Sequence, residues 1–555
     1  MTYSVSEFIV EYLSKLDIKY VTGIPGSHIL PLFNAVASSN MRFIPSRHEL
    51  SSATIGDAYG RLTGKPMLVI VTAGPGATNT VTGVAQAYGA ASPLILISGS
   101  VSLNSGPSAF HGVDDPYFLE KIFKPITKFS KIIKSSSQLP KQLAKAVRHS
   151  ISGRKGPVYI GLPENLLSKR VDIDINRYIV RQRNYPFSQH LLSKLVDLLH
   201  NKRIVLVLGA EVFTSIPSRE IIKLATSLNS PVICQIEGLG YFPQDHQLYA
   251  GYVEEDWDIY PQAINALKNA EVVLFLGLRP GETEYKTIQR YTKAKLVYIG
   301  FTRGSYQENL NMSIIGDLQR YISNLSRELE VGLEWYHHTG KSVEQLIDKS
   351  LLIETVNHNI NPIWLAKLIG DSIPRDSILC VDIGSHETWA RILIGGVKRV
   401  RYLYPGNYGS MGFALPAAIG AYLANTDNDS KRDIYVIIGD GGLLMCMEEL
   451  ATISELTANI KIFVFNDSRY GMIYHMQKEF FGKDFASSIP NVDFSKIGEA
   501  FGIESTRITH YKDVEPIIKE VVKVKKPVLI DFIVDYKVKY ITCLLYTSPS
   551  PRDRG

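Results

Sequence analysis

Short apolar runs alternate with helical stretches along the whole chain. Runs at 67–71, 94–98 and 158–161 form one group, and 204–208, 231–235, 272–276 and 296–300 a second. Those at 378–382, 434–438, 462–465 and 528–533 form a third. Most are continuous rather than alternating, the pattern of a strand buried on both faces. Such strands separated by helices predict parallel sheets with helices on both sides. The expected fold class is therefore α/β, with three doubly wound parallel-sheet domains at about 1–170, 190–330 and 355–542. Polar segments at about 163–189 and 327–361 are the expected linkers. No short repeat or low-complexity segment interrupts this order. At the amino terminus, Ser4-Val5-Ser6-Glu7 reads as a capping box opening an amphipathic helix, not as a signal peptide.

Composition narrows the class. Hydrophobic content of 45% and charged content of 21% are ordinary for a soluble globular chain of 555 residues. The net charge of +6 is modest, and Lys and Arg are scattered among acids, which argues against a nucleic-acid partner. No apolar run is long enough to span a bilayer, so no membrane is expected. Cys234, Cys380 and Cys446 lie in or beside apolar runs without metal spacing and read as buried thiols of a reducing compartment. The expected location is cytoplasmic. The fourth cysteine, Cys543, opens a tail of another kind. Residues 543–553 can be written codon by codon as a transposase adapter used in DNA sequencing libraries. Residues 543–555 are therefore expected to be a sequencing artefact that stands in place of the authentic end.

Asp440 and Asn466 carry the chemistry of the third group. They stand in Ile437-Ile438-Gly439-Asp440-Gly441-Gly442 and Phe463-Val464-Phe465-Asn466-Asp467, 26 positions apart. Each follows an apolar run, so each side chain should emerge at a strand's carboxyl end, where open α/β sheets bind ligands. An Asp oxygen, an Asn oxygen and nearby carbonyls suit Mg²⁺, which shares its coordination with phosphates. Gly441 and Gly442 let the backbone approach a diphosphate, and a helix expected to start near Leu443 offers free N–H groups. Most Gly-Asp-Gly triplets are plain turns, but the strand contexts and spacing favour a site. The pattern resembles the thiamine diphosphate motif, GDG followed by Asn.

The first group adds Arg47-His48-Glu49 ahead of a helix expected near Ser52, and Thr72-Ala73-Gly74-Pro75-Gly76-Ala77-Thr78-Asn79 after a strand. Its next helix is expected from about Ala77. Taken alone this is a well-made strand–turn–helix junction with a surface Glu upstream. Together with Gly156–Pro163, Asp382-Ile383-Gly384-Ser385-His386, the Gly409–Gly420 run and Lys526–Asp531, it resembles the catalytic subunit of acetolactate (acetohydroxyacid) synthase and its thiamine diphosphate-dependent relatives. The likeness reaches from the amino terminus to about Asp535.

The resemblance implies a pyrimidine-binding first domain, a central domain and a diphosphate-binding third domain. It implies that Glu49 hydrogen-bonds the cofactor's pyrimidine and promotes its imino tautomer. Pro25, Thr72, Pro75, Gly76 and Asn79 match positions that line that ring. Met411 matches the apolar wedge that bends the cofactor, and the Gly409 carbonyl accepts from its amino group. Ser385, His386, Gly441 and Gly442 match diphosphate contacts. Asp440, Asn466 and the Ser468 carbonyl would hold Mg²⁺. In the family the two halves meet across a subunit interface, so the resemblance implies a homodimer or a dimer of dimers. A small regulatory subunit is left open. The implied activity is decarboxylation of a 2-oxo acid, pyruvate by default, with acyl transfer to a second 2-oxo acid. The substrates are small molecules.

Three positions depart from the synthases. Phe110-His111 stands where they carry Phe-Gln, and His28 follows Gly26-Ser27 in the first loop. Two histidines near the reacting carbon could donate protons, as in 2-oxo acid decarboxylases that release an aldehyde; their alternative is a structural role. Met476 stands in place of a Trp that selects 2-oxobutyrate. Of the run beside the family's FAD only Arg279 remains, so FAD is left open without support. A non-catalytic protein with a degenerate cofactor fold is the third reading, and intact Glu49, Asp440 and Asn466 argue against it.

Overall fold

The computed structural model describes residues 2–102, 104–105, 109–253, 260–279, 282–303, 310–329, 333–336, 349–356 and 359–539. The adapter-like tail lies outside them.

Three six-stranded parallel sheets form the architecture. In the first the spatial order is Arg42–Pro45, Tyr20–Gly23, Met67–Val71, Leu94–Ser100, Pro157–Pro163, Ser130–Ile132. In the third it is Arg401–Leu403, Ile378–Val381, Ile434–Gly439, Ile460–Asn466, Val528–Ile533, Glu504–Ile508. Numbered along the chain within each sheet, both read 2-1-3-4-6-5, so one topology is used twice. The central sheet differs: Tyr249–Val253, Val232–Gln235, Ile204–Leu208, Val272–Leu276, Lys295–Gly300, Met312–Ile315, or 3-2-1-4-5-6. Its central strands, like those of the other two sheets, are buried throughout, as apolar runs covered by helices on both faces must be.

The expected capping box is present. Ser4 Oγ accepts from Glu7 N at 3.1 Å and Glu7 Oε2 from Ser4 N at 2.6 Å, opening the helix Val5–Lys15. The first expected linker is partly structured. Arg170–Asp172 pairs antiparallel with Thr2–Ser4, because Val171 has a buried face to fill beside the first domain. Part of the second expected linker lies outside the described residues.

The first and third domains of one chain are packed tightly together. The helix Glu49–Thr63 lies along the helix Ala414–Asp427, and their residues share one core. Gly420 permits the contact: a Cβ there would stand 2.4 Å from the Ile55 carbonyl oxygen. Tyr59 Oη donates to Asp427 Oδ2 at 2.9 Å at the far end. Near Glu49, the N–H groups of Arg47 and His48 donate to Glu449 Oε1 at 2.7 and 3.2 Å. Cys234, Cys380 and Cys446 are free and buried. Among the described residues, no helix is long and apolar enough to cross a membrane.

Candidate active site

In sheets of order 2-1-3-4-6-5, the chain reverses direction between strands 1 and 3. Ligands of open α/β sheets bind beyond the carboxyl ends there. In the third sheet those ends lead into Asp382–His386 and Asp440, and in the first into Pro25–His28 and Thr72–Gly76.

Asp440 follows the strand Ile434–Gly439, and Asn466 ends the adjacent strand Ile460–Asn466. The helical turn begins at Asp440 itself (Asp440–Leu443), not near Leu443. Asp440 Oδ1 draws the turn in by accepting from Gly441 N at 2.8 Å. A cavity of about 130 Å³ opens here, lined among others by Ser385, His386, Met411, Asp440, Asp467 and Tyr470. Four buried polar atoms at this end of the sheet lack a partner: Asp440 Oδ2, Asn466 Oδ1, Ser385 Oγ and His386 Nε2. Each such atom costs roughly 1–3 kcal/mol if nothing satisfies it. Unpartnered polar atoms at three neighbouring strand ends fit a ligand with a charged oxygen-rich end and a cation.

The orientation of these atoms is enforced from behind. Asn466 Nδ2 donates to Asp531 Oδ1 and to the Val492 carbonyl, both at 3.0 Å, so its oxygen is the end left free. Asp382, fully buried, accepts from the N–H groups of Ile383, Gly412 and Ala414 at 2.9, 3.0 and 3.0 Å. It thereby fixes the loop that carries Met411. Burial pushes its carboxyl up to about 6 against those bonds. Asp382 and Asp531 were quoted in the sequence only as parts of longer motifs. Their orienting roles depend on which backbone groups surround them, which spacing does not reveal.

Burial raises the Asp440 carboxyl above its ordinary range, opposed by the N–H groups of Gly441, Ser468 and Arg469. Asp467 is raised by burial and then by Asp440. A cation between these oxygens would return both to the charged form. Ser468 has a left-handed backbone (φ 54°), and its carbonyl accepts from Ile489 N at 3.0 Å, leaving one lone pair. Burial holds His386 neutral, its ring pushed down to about 3. At Gly441 a Cβ would stand 2.8 Å from the Tyr470 ring, which would have to shift to admit it. Met411 is half-buried in the cavity wall, and Gly409, in the left-handed region at φ 64°, precedes it in the same loop. Among the described residues no group of three or more His, Cys, Asp or Glu could hold a metal. The candidate centre is instead one carboxylate, one amide and one carbonyl.

The other half sits on the first sheet. Glu49 opens its helix three residues before the expected Ser52, because His48 Nδ1 caps Leu50 N at 3.1 Å. Glu49 Oε2 accepts from Asn79 Nδ2 at 3.0 Å. Thr72 Oγ1 is buried without a partner, and a Cβ on Gly76 would stand 3.5 Å from Glu49 Oε1. The short helix Pro75–Thr78 starts two residues before Ala77 because proline suits its first position. Pro25, Pro75 and Asn79 are exposed. His28 and His111 do meet: their rings stack at 4.9 Å, with Phe110 4.0 Å from His111. His28 Nε2 lies 3.7 Å from Glu164 Oε2. Burial and then His28 lower the His111 pKa.

Within one chain the halves stay apart. None of the described residues lining the Asp440 cavity comes from the first domain.

The family models match in the same three parts. The N-terminal TPP binding domain of thiamine pyrophosphate enzymes matches residues 3–116, their central domain 192–325 and their C-terminal TPP binding domain 382–532. The chain is a thiamine pyrophosphate enzyme. It is 30% identical over 545 residues to the acetolactate synthase isozyme 1 large subunit of Escherichia coli, covering 96% of this chain and 94% of that one. It is 29% identical to the probable acetolactate synthase large subunit of Methanocaldococcus jannaschii, covering 96% and 92%. The acetolactate synthase large subunit of Lactococcus lactis is 28% identical, covering 95% and 92%. Thiamine diphosphate is thus this enzyme's cofactor, and the unpartnered atoms around Asp440 fit its diphosphate end.

The central sheet has the strand order that dinucleotide-binding sheets use, and beyond the carboxyl ends of its strands a cavity of about 360 Å³ is lined among others by Arg279 and Thr302. Glu211, fully buried after the strand Ile204–Leu208, accepts from Phe301 N at 2.7 Å and from Thr302 Oγ1 at 2.5 Å. Burial raises its carboxyl.

Proposed function

We propose that this enzyme decarboxylates a 2-oxo acid, pyruvate by default, and transfers the acyl unit to a second 2-oxo acid, as an acetolactate synthase does. The observation that carries the reading is a set of unpartnered polar atoms, Asp440 Oδ2, Ser385 Oγ and His386 Nε2, on residues that line one cavity, with Asn466 Oδ1 at the end of the adjacent strand. Thiamine diphosphate would supply a nucleophilic carbon for the substrate carbonyl and an electron sink for the loss of CO₂. The protein's part is orientation, a proton at the right atom and exclusion of water. In this reading Asp440, Asn466 and the Ser468 carbonyl hold Mg²⁺, and Ser385, His386, Gly441 and Gly442 contact the diphosphate. Met411 wedges the cofactor, while the Gly409 carbonyl accepts from the pyrimidine amino group. Glu49, with Pro25, Thr72, Pro75, Gly76 and Asn79 around it, holds the proton exchanged with that ring.

The working unit of the proposal is a homodimer or a dimer of dimers. Two observations support it. Glu49 does not line the Asp440 cavity of its own chain. The helix Gly471–Phe481 beside that cavity buries none of its residues, and Phe480 and Phe481 stand largely exposed. The relatives' designation as large subunits brings a small partner subunit into the proposal. FAD stays open in this reading and without support. The domain limits proposed are 1–170, 190–330 and 355–542, in a cytoplasmic protein. The names of the relatives favour carboligation over aldehyde release, and the stacked His28–His111 pair would set the balance between them. The test is incubation with thiamine diphosphate, Mg²⁺ and a panel of 2-oxo acids, with product identification. Acetolactate from pyruvate supports the reading; aldehyde as the sole product would replace it.

A further inference from the structure

The three domains of one chain meet around a second cavity, of about 550 Å³. Arg61 and Gly64 line it from the first domain, Pro217 and Ser218 from the central one, and Arg401 and Arg432 from the third. None of its described lining residues is shared with the Asp440 cavity.

Its charge is unbalanced. The single acid among its described lining residues, Asp376, is held by Arg399 Nε at 2.8 Å. Arg61 is committed to both oxygens of Asp57, at 2.9 and 2.7 Å, and to the Tyr404 carbonyl at 2.6 Å. Lys155 Nζ, also in the wall, donates to the carbonyls of Gly64 and Thr214 at 2.8 and 2.6 Å. Arg401 is different. It is only 8% exposed, and its Nη1 is buried without a partner. Burial, and then Arg432, push its guanidinium down to about 10, with Tyr241 opposing and Arg61 adding to the effect. A guanidinium buried among other cations is costly unless an anion joins it.

A second feature points to the same ligand. The eleven-residue helix Ser218–Leu228 begins at this cavity, with Pro217 at its N-cap and no side chain capping it. Glu220 stands in the first turn and its N–H is given to the Pro217 carbonyl at 3.0 Å, so it is Ser218, at the helix's amino end, that borders the space Arg401 also borders. A guanidinium fork and a helix amino end both match a phosphate group in charge and geometry.

We propose that this three-domain junction binds a phosphate group, free or at the end of a small ester, between Arg401 and the amino end of the helix Ser218–Leu228, with Arg432 at the exposed rim. The anion ties the three domains together, so its binding stabilises the folded chain by mass action.

The test is thermal unfolding of the full chain, saturated with thiamine diphosphate and Mg²⁺, in inorganic phosphate against chloride at matched ionic strength. A saturable, phosphate-specific rise in Tm is expected. In Arg401→Gln the titration midpoint should move to about tenfold higher phosphate, the loss of one charge-assisted contact. In Arg432→Gln, whose side chain is exposed, it should move by about threefold. No phosphate-specific rise in the parent protein overturns the proposal, as do midpoints unchanged in both variants. If Arg401→Gln does not fold, Arg432→Gln decides alone, and an unchanged midpoint there overturns it. Phenyl phosphate in place of the inorganic ion separates the two sources: a rise with phosphate only assigns the free ion, and a rise with both admits an ester.

Discussion

Asn466 gives its side-chain nitrogen to Asp531 at 3.0 Å, and this bond decides which end of the amide is left without a partner. Asp531 is fully buried on the last strand of the sheet and also accepts from Phe494 N at 3.2 Å. It acts at one remove, by presenting an oxygen that belongs to its neighbour. In Asp531→Asn the amide of Asn466 loses a charged acceptor and can turn. Mg²⁺ affinity should fall by about tenfold, the usual cost of losing a group that orients a ligand. Activity at saturating Mg²⁺ should change far less. A Mg²⁺ titration of activity and of cofactor retention separates the two, and an unshifted titration removes Asp531 from the site.

Asp440→Ala should abolish metal-dependent retention of thiamine diphosphate, because a compact Mg²⁺ centre loses its charged ligand. Unchanged cofactor affinity by calorimetry would remove Asp440 from the metal.

The raised Asp440 and Asp467 carboxyls make cation binding depend on pH. Each folded-state pKa lies above its unfolded value, so the cation-free fold holds protons that the unfolded chain has released. Stability of the cation-free protein should therefore fall as pH rises from the ordinary carboxylate range through the raised values. Binding Mg²⁺ expels those protons, so its affinity should rise with pH over the same window. Calorimetry in buffers of different ionisation enthalpy will register the proton release. Equal heats in all buffers would show that the carboxyls are already charged.

Glu49→Gln should leave the cofactor bound and slow exchange of its thiazolium C2 proton by about 10²–10⁴, the range for a lost proton-transfer partner. Exchange followed by NMR at the parental rate would give Glu49 a structural task only.

Replacing either ring of the stacked pair, His28→Gln or His111→Gln, should lower aldehyde release more than carboligation. The two rings touch, so the double variant should show less than the product of the single effects. A product ratio that stays constant in all three variants would assign both histidines to packing.

Much of this was legible in the chain. The runs at 67–71, 204–208, 272–276 and 528–533 are strands with those same limits, because buried parallel strands are written as unbroken apolar stretches. The buried internal strand Tyr20–Gly23 was missed, and so were several edge strands. Arg42–Pro45, Ser130–Ile132 and Glu504–Ile508 are short or carry polar side chains, since one edge meets solvent or a loop. At the site, the Asp440–Asn466 spacing located the strand ends but not the supports behind them. The left-handed backbone of Ser468 and the three N–H groups gathered by Asp382 arise from loop conformation, which residue type alone does not encode. The pairing of His28 with His111 needed two loops far apart in sequence to meet. The basic junction at Arg401 left no motif at all, because three domains contribute to it.

The Glu49–Thr63 and Ala414–Asp427 helices, locked by Gly420 and by the Tyr59–Asp427 bond, behave as one stiff beam. Glu49 stands at the start of one helix and the Met411 loop leads into the other, yet within a chain they do not share a cavity. In a dimer whose sites each draw on both chains, every beam ends in two different sites. Closure around substrate on one side would then push on the other, and the two catalytic cycles would run out of step. Pre-steady-state turnover with half of the sites reacting at a time is the kinetic signature of such a rocker.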